Sequence, residues 1–90
     1  MEKNLTVKIY GFVQGIFFRF GAKVEAEKQG IKGFARNEDD GSVYIEAEGE
    51  EGKLRDFLEW CRMGPTFAKV EKIDFEFKDE LKGFKSFDVE

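Results

Sequence analysis

The sequence contains no histidine and only one cysteine, Cys61. Without histidine, neither a Ser-His nor a Cys-His nucleophile can form, and the usual zinc ligands are missing. A single cysteine excludes an internal disulfide, and on the apolar face of a helix it is most simply a core residue. An enzyme of this composition has to work with arginine, lysine, amide side chains, carboxylates and backbone N–H groups.

Proline and long apolar runs are also scarce. The one proline and the lack of low-complexity stretches argue against a disordered linker. No apolar run approaches the ~20 residues that span a bilayer, and no apolar signal segment opens the chain, so we expect a cytoplasmic protein with no membrane partner. A net charge of −4 argues against a nucleic-acid partner. We expect a single domain, residues 1–90, with one modest core rich in phenylalanine.

Asparagine and glutamine are few, and charged residues are many. Each amide residue occurs twice, whereas 38% of the chain is charged, mostly lysine and glutamate. This balance is typical of a thermophilic source, or simply of an ordinary soluble surface. The lysine and glutamate runs are most simply solvated. The pair Asp39-Asp40 is most simply a solvated turn.

The first half of the chain predicts a strand, a helix and a hairpin. Apolar and polar residues alternate over 5–10, which is typical of a strand with one buried face. A helical segment follows over about 20–29. The turn Asp39-Asp40-Gly41 joins a second and a third strand, about 32–38 and 43–48, because an Asp-Gly pair tolerates positive φ.

The second half repeats this order. After a break over 49–52, an amphipathic helix is indicated by apolar residues at i, i+3, i+4 and i+7, namely Leu54, Phe57, Leu58 and Cys61. The helix ends at Gly64-Pro65, and a longer strand follows. Val70 is out of phase with the later apolar residues of that strand, which predicts a bulge near Lys72. Phe87 and Val89 suit a short last strand.

The element order β-α-β-β-α-β predicts a ferredoxin-like α+β sandwich, an antiparallel four- to five-stranded sheet with two helices on one face. We expect the two strands that flank the first helix to lie side by side. The end of the second strand, with Asn37, then approaches the loop that follows the first strand.

That loop, Val13 to Arg19, is the best candidate for a site. A glycine-containing turn between a strand and a helix leaves backbone N–H groups pointing outward, which suits a phosphate anion. Arg19 adds a planar, permanently charged fork of donors. Of the adjacent Phe17 and Phe18, we expect one in the core and the other against the site. Taken alone, Arg19 is most simply a surface arginine and Asn37 a turn residue.

Two long motifs resemble the signatures of the acylphosphatase family. Ile9 to Arg19 resembles the first signature, and Gly33 to Gly49 resembles the second. The resemblance covers essentially the whole chain. It implies hydrolysis of the carboxyl–phosphate bond of acyl phosphates, with no metal and no cofactor. It also implies that Arg19 binds the phosphate, that Asn37 orients the attacking water, and that a backbone cradle is formed by Gln14, Gly15, Ile16, Phe17 and Phe18.

Elementary chemistry supports this interpretation. Phosphoryl transfer depends largely on positioning and charge stabilisation, and a mixed anhydride already carries a good leaving group. A phosphate oxygen of the substrate can accept the proton of the water, so no histidine is needed. Asn37 offers one acceptor and two donors for that water. The signatures need no partner chain, so we expect a monomer acting on a small-molecule acyl phosphate and releasing inorganic phosphate.

The chain departs from the family pattern at a few positions. Ile16 stands where valine is commoner, and Phe20-Gly21-Ala22 stands where polar residues are common. Gly21 is expected to weaken the first helical turn by roughly 0.5–1 kcal/mol. Glu38 stands where an uncharged residue is more usual, and we expect its side chain on the opposite face from Asn37.

Two alternative functions fit the same topology. One is RNA binding, since Lys32 to Ala35 begins like an RNP1 motif, but Arg36 and Asn37 then break that pattern. The other is a ligand-binding or regulatory module with a decayed active site, against which the intact Arg19 and Asn37 count.

Overall fold

The computed structural model describes residues 1–90 and contains five strands and two helices. In chain order, these elements are β1 (Glu2–Phe12), α1 (Phe18–Lys28), β2 (Lys32–Asn37), β3 (Val43–Glu50), α2 (Glu51–Met63), β4 (Lys69–Lys78) and β5 (Phe87–Val89). The strands form one sheet in the order β4-β1-β3-β2-β5. Neither helix is long and apolar enough to cross a membrane.

The predicted ferredoxin-like α+β arrangement is confirmed, with one change in the sheet. The pairs among β1 to β4 are antiparallel, but β5 pairs parallel with β2. The sheet is therefore mixed, because the fifth strand joins its edge in the same direction as β2.

The expectation that β1 and β2 lie side by side is wrong, because β3 lies between them. In the register of the sheet, Val43 of β3 is opposite both Ile9 of β1 and Asn37 of β2. Since both strands are antiparallel to β3, they run in the same direction and end at the same edge of the sheet. At the usual strand spacing, Asn37 lies roughly 10 Å from Ile9, across Val43 of β3.

The helix starts differ from the predicted ones. Helix α1 begins at Phe18, earlier than the predicted start near residue 20, so Arg19 lies in its first turn. The predicted break over 49–52 is no loop, since β3 runs directly into α2 at Glu51. Gly49 packs against Ile31, since a Cβ added to Gly49 would lie 3.3 Å from the Cγ1 of Ile31. The glycine therefore serves close packing inside a strand.

The core lies between the helices and the sheet. The predicted apolar face of α2 is confirmed, since its four apolar residues are buried. The ring of Phe57 packs edge-on against Phe87 of β5 at 6.1 Å between centroids. Where the helices meet, a Cβ on Gly21 would lie 3.1 Å from Cζ2 of Trp60. Gly21 thus lets α1 approach α2, which offsets its low helix propensity.

The bulge predicted near Lys72 is confirmed. The register between β1 and β4 shifts between Tyr10 and Gly11, which are opposite Lys72 and Val70. Glu71 is the extra residue of β4, so it is left without a partner in β1. A bulge of this kind increases the local twist of the strand.

Glu46 and Glu48, which alternate with the apolar residues of β3, are buried. Their exposed fractions are only 4% and 7%, because the segment 79–86 crosses this face of the sheet on its way to β5. The amide of Asn4 donates to both carboxylates, at 2.9 and 2.8 Å. The Nζ of Lys82 lies 3.0 Å from Glu46, and backbone N–H groups of the crossing segment donate to Glu48.

Candidate active site

A cleft of about 220 Å³ opens at the edge of the sheet where β1 and β2 end. It brings together two residues that the sequence singled out, Arg19 from the first turn of α1 and Asn37 from the end of β2. Arg19 is the one charged residue of the lining. The full lining consists of Val13, Gly15, Phe17, Phe18, Arg19, Phe20, Asn37 and Val89.

The loop before α1 presents a row of free backbone donors. The hydrogen bonds of α1 begin where the Gly21 N–H donates to the Phe17 carbonyl at 2.9 Å. The N–H groups of residues 14–20 donate to no backbone carbonyl of the protein. No acidic residue lies in the first turn of the helix, so nothing offsets the positive end of its dipole. Loop and helix start together suit a phosphate-sized anion.

Two residues give this loop its shape. Gly15 has φ of 74° and Phe17 has φ of 64°, and Phe17 is the one non-glycine residue with positive φ. A side chain in this conformation costs roughly 1–2 kcal/mol, and such strain clusters at functional sites. The predicted division of the adjacent rings is confirmed, since Phe18 is buried while Phe17 is 81% exposed and lines the cleft.

The predicted cradle residues Gln14 and Ile16 do not line the cleft. Ile16 packs against the core. The Nε2 of Gln14 donates to the carbonyls of Glu38, at 2.8 Å, and Ser42, at 2.9 Å. This side chain ties the loop to the β2–β3 turn beside Asn37. The sequence predicted only a backbone role for Gln14, because nothing near it in the chain marks a partner so far along the sequence.

Arg19 and Asn37 have different surroundings. The guanidinium of Arg19 is half-buried and donates to the main-chain carbonyl of Glu90. Asn37, which lines the same cleft, is exposed. The sequence did not predict the contribution of the last residues, in which Val89 of β5 lines the cleft and Glu90, directly after β5, supplies its carbonyl to the arginine. Only the long-range pairing of β5 with β2 brings these residues to the cleft.

Asp40 and Glu38, at the β2–β3 turn, each have a charged partner. The Ser42 hydroxyl and backbone N–H and the Lys8 ammonium lower the pKa of Asp40 to about 2, so its carboxylate stays ionised near neutral pH. Glu38 pairs with Arg36 at 2.9 Å, on the face of β2 away from Asn37, as expected. No group of three or more histidine, cysteine, aspartate or glutamate side chains is arranged to hold a metal ion.

Fold and cleft define a class: a ferredoxin-like α+β protein in which a loop, a helix start and an arginine line one cleft. The family model described as Acylphosphatase matches residues 5–89. An acylphosphatase of Nocardioides sp. is 39% identical over 89 residues, covering 99% of this chain and 89% of that protein. One of Bacillus licheniformis is 43% identical over 79 residues, or 88% of each chain. The crystal structure of acylphosphatase from Bacillus subtilis has a TM-score of 0.94 at 36% identity, covering 97% of both chains.

The chain belongs to the acylphosphatase family. It is an enzyme whose reaction is the hydrolysis of acyl phosphates, small molecules with a carboxyl–phosphate bond. This membership favours the hydrolase over the RNA-binding alternative that Lys32 to Ala35 suggested.

Proposed function

We propose that the two sides of the cleft divide the reaction between them. Arg19 and the backbone N–H groups of residues 14–18, of which Gly15, Phe17 and Phe18 line the cleft, hold the substrate phosphate, and Asn37 orients the water that attacks it. The observation that carries the proposal is that Arg19 and Asn37 line one cleft, beside a loop whose N–H groups have no backbone acceptor.

The chemical step needs no protein base. The water held by Asn37 attacks phosphorus, the bond between phosphorus and the bridging oxygen breaks, and the bridging oxygen leaves with the carboxylate. The proton of the water passes to a phosphate oxygen, so the products are a carboxylate and inorganic phosphate. Asn37 can accept one hydrogen bond from the water and still has two donors for neighbouring oxygens.

Arg19 and the loop stabilise the charge of the transferring group. Negative charge on the equatorial oxygens redistributes as the leaving bond lengthens. A guanidinium and several fixed N–H groups aimed at those oxygens stabilise this state without reorganising. Removal of one such donor typically lowers the rate about 10²–10³-fold, which is the effect expected for Arg19.

The wider setting is part of the same proposal. Residues 1–90 act as one acylphosphatase domain, as a cytoplasmic monomer, and use neither metal nor cofactor. The high share of charged residues, 38%, supports a thermophilic source.

Hydrolysis of benzoyl phosphate with and without EDTA tests the reaction. We expect equal rates in both conditions, and competitive inhibition by inorganic phosphate. Because phosphate binds the folded state, it is also expected to raise the melting temperature, with a stabilisation that grows as the logarithm of one plus the ratio of phosphate concentration to its Kd. Loss of activity in EDTA that added metal restores would contradict the metal-free mechanism. Noncompetitive inhibition by phosphate would place its binding outside the cleft.

A further inference from the structure

The cleft has an apolar wall in addition to its anion-binding floor. We infer that this wall, formed by Phe17, Phe20 and Val89, is the subsite for the acyl group of the substrate. The substrate class is then acyl phosphates whose acyl group is aromatic or otherwise apolar and uncharged. The inference rests on the proposed function, in which the phosphate lies between the loop and Arg19.

The three wall residues come from separate parts of the chain. Phe17 belongs to the loop, Phe20 to α1 and Val89 to β5, and all three line the same cleft. Their exposed fractions are 81%, 60% and 42%. Exposed apolar side chains that converge on one cavity are typical of a ligand-binding surface, whereas scattered ones are not.

The position of the wall suits the acyl group rather than the phosphate. Phe17 directly adjoins the free N–H groups, and Phe20 follows Arg19 in the same helical turn. A phosphate bound to those donors is covalently joined to the acyl group through one oxygen. The acyl group must therefore leave the phosphate site past the side chains at the mouth of the cleft.

The charges of the cleft favour an uncharged acyl group. Arg19 is the one charged residue in the lining, and the phosphate uses its positive charge. A second carboxylate or phosphate on the substrate would lie against apolar side chains without a partner, which is unfavourable. The volume of about 220 Å³ lies below the roughly 300–1,000 Å³ of sites for drug-sized ligands, so the acyl group is small.

The test compares kcat/KM for benzoyl, acetyl and succinyl phosphate, each divided by its uncatalysed rate. The variants are Phe20→Ser and Phe17→Gly, because glycine adopts the φ of 64° at position 17 without strain. Phe67→Ser is the matched control, since Phe67 is 78% exposed but lies outside the cleft.

We expect the wild type to prefer benzoyl over acetyl phosphate by at least about tenfold, and to hydrolyse succinyl phosphate least well. The preference for benzoyl phosphate should fall about tenfold in Phe20→Ser, mainly through KM, and should also fall in Phe17→Gly. A tenfold change in kcat/KM is at the lower end of the range, roughly 10- to 200-fold, that follows loss of an apolar contact in a hydrophobic pocket. Phe67→Ser should keep the wild-type preference.

Two results would overturn the inference: equal efficiency on all three substrates, or an unchanged preference in both cleft variants. Failure of the proposed function gives a different result, since Arg19→Ala would then hydrolyse the three substrates as the wild type does.

Discussion

Replacement of Gln14 by alanine tests whether one side chain holds the two halves of the site in register. The Nε2 of Gln14 donates to the carbonyls of Glu38 at 2.8 Å and Ser42 at 2.9 Å. Both carbonyls keep another donor in the variant. The Ser42 carbonyl also accepts from the Glu38 N–H, and the Glu38 carbonyl also accepts from the Gly41 N–H. The variant therefore loses two hydrogen bonds and leaves neither carbonyl without a partner.

The magnitude follows from these contacts. Each lost hydrogen bond is worth about 0.5–1.5 kcal/mol, so Gln14→Ala should lower the free energy of unfolding by about 1–3 kcal/mol. Without the tie, Asn37 can shift relative to the loop, and a misplacement of about 1 Å can cost up to about 10²-fold in rate. We expect kcat for benzoyl phosphate to fall about 10- to 100-fold, with a smaller change in phosphate affinity.

Urea unfolding and steady-state kinetics measure both effects. The slope of the unfolding transition should stay the same while its midpoint falls. Gln29→Ala is the matched control, because Gln29 makes one longer bond, 3.3 Å to Glu25, at the far end of α1. The control should change stability by less than about 0.5 kcal/mol and keep full activity. If Gln14→Ala is as stable and as active as the control, the tie does not position the site.

Three further predictions concern stability and reactivity. Burial opposes the ionisation of Glu48, but backbone N–H groups and an amide that donate to it lower its pKa below the ordinary 4.5. The ionised carboxylate therefore contributes fully to the free energy of unfolding above about pH 4.5, and this contribution is lost below it. The urea midpoint of Glu48→Gln should be less sensitive to acid than that of the wild type. Gly64→Ala should lower the melting temperature more than Gly83→Ala does, since both glycines have positive φ but only at Gly64 would a Cβ meet Phe18, at 2.7 Å. Complete burial raises the pKa of the Cys61 thiol, so a thiol reagent should label it only after denaturation, and rapid labelling of the folded protein would contradict its core position.

The sequence predicted the elements and the site well where the information is local. The alternation in β1 and the spacing of apolar residues on α2 mark one buried face each, and the structure has both faces as predicted. The motif around Arg19 and the turn after Asn37 also depend on near neighbours in the chain. The sequence therefore identified two polar residues that line the cleft, Arg19 and Asn37.

What the sequence did not predict depends on long-range contacts. The position of β3 between β1 and β2 follows from pairing across the sheet, which residue patterns in single strands do not encode. Burial of Glu46 requires the chain 79–86 to fold back over the sheet, where Lys82 meets the carboxylate. Val89 reaches the cleft only because β5 pairs parallel with β2.

The central claim is that Arg19 holds phosphate whereas Asn37 holds water, and one experiment separates the two roles. Inorganic phosphate binding by titration calorimetry and kcat for benzoyl phosphate are measured in Arg19→Ala, Asn37→Ala and the control Arg36→Ala, whose arginine pairs with Glu38. We expect Arg19→Ala to lose both phosphate binding and activity. Asn37→Ala should bind phosphate as the wild type does, yet lose about 10²–10³-fold in kcat, and Arg36→Ala should match the wild type in both. Full turnover in Asn37→Ala, or undiminished phosphate binding in Arg19→Ala, would contradict the account.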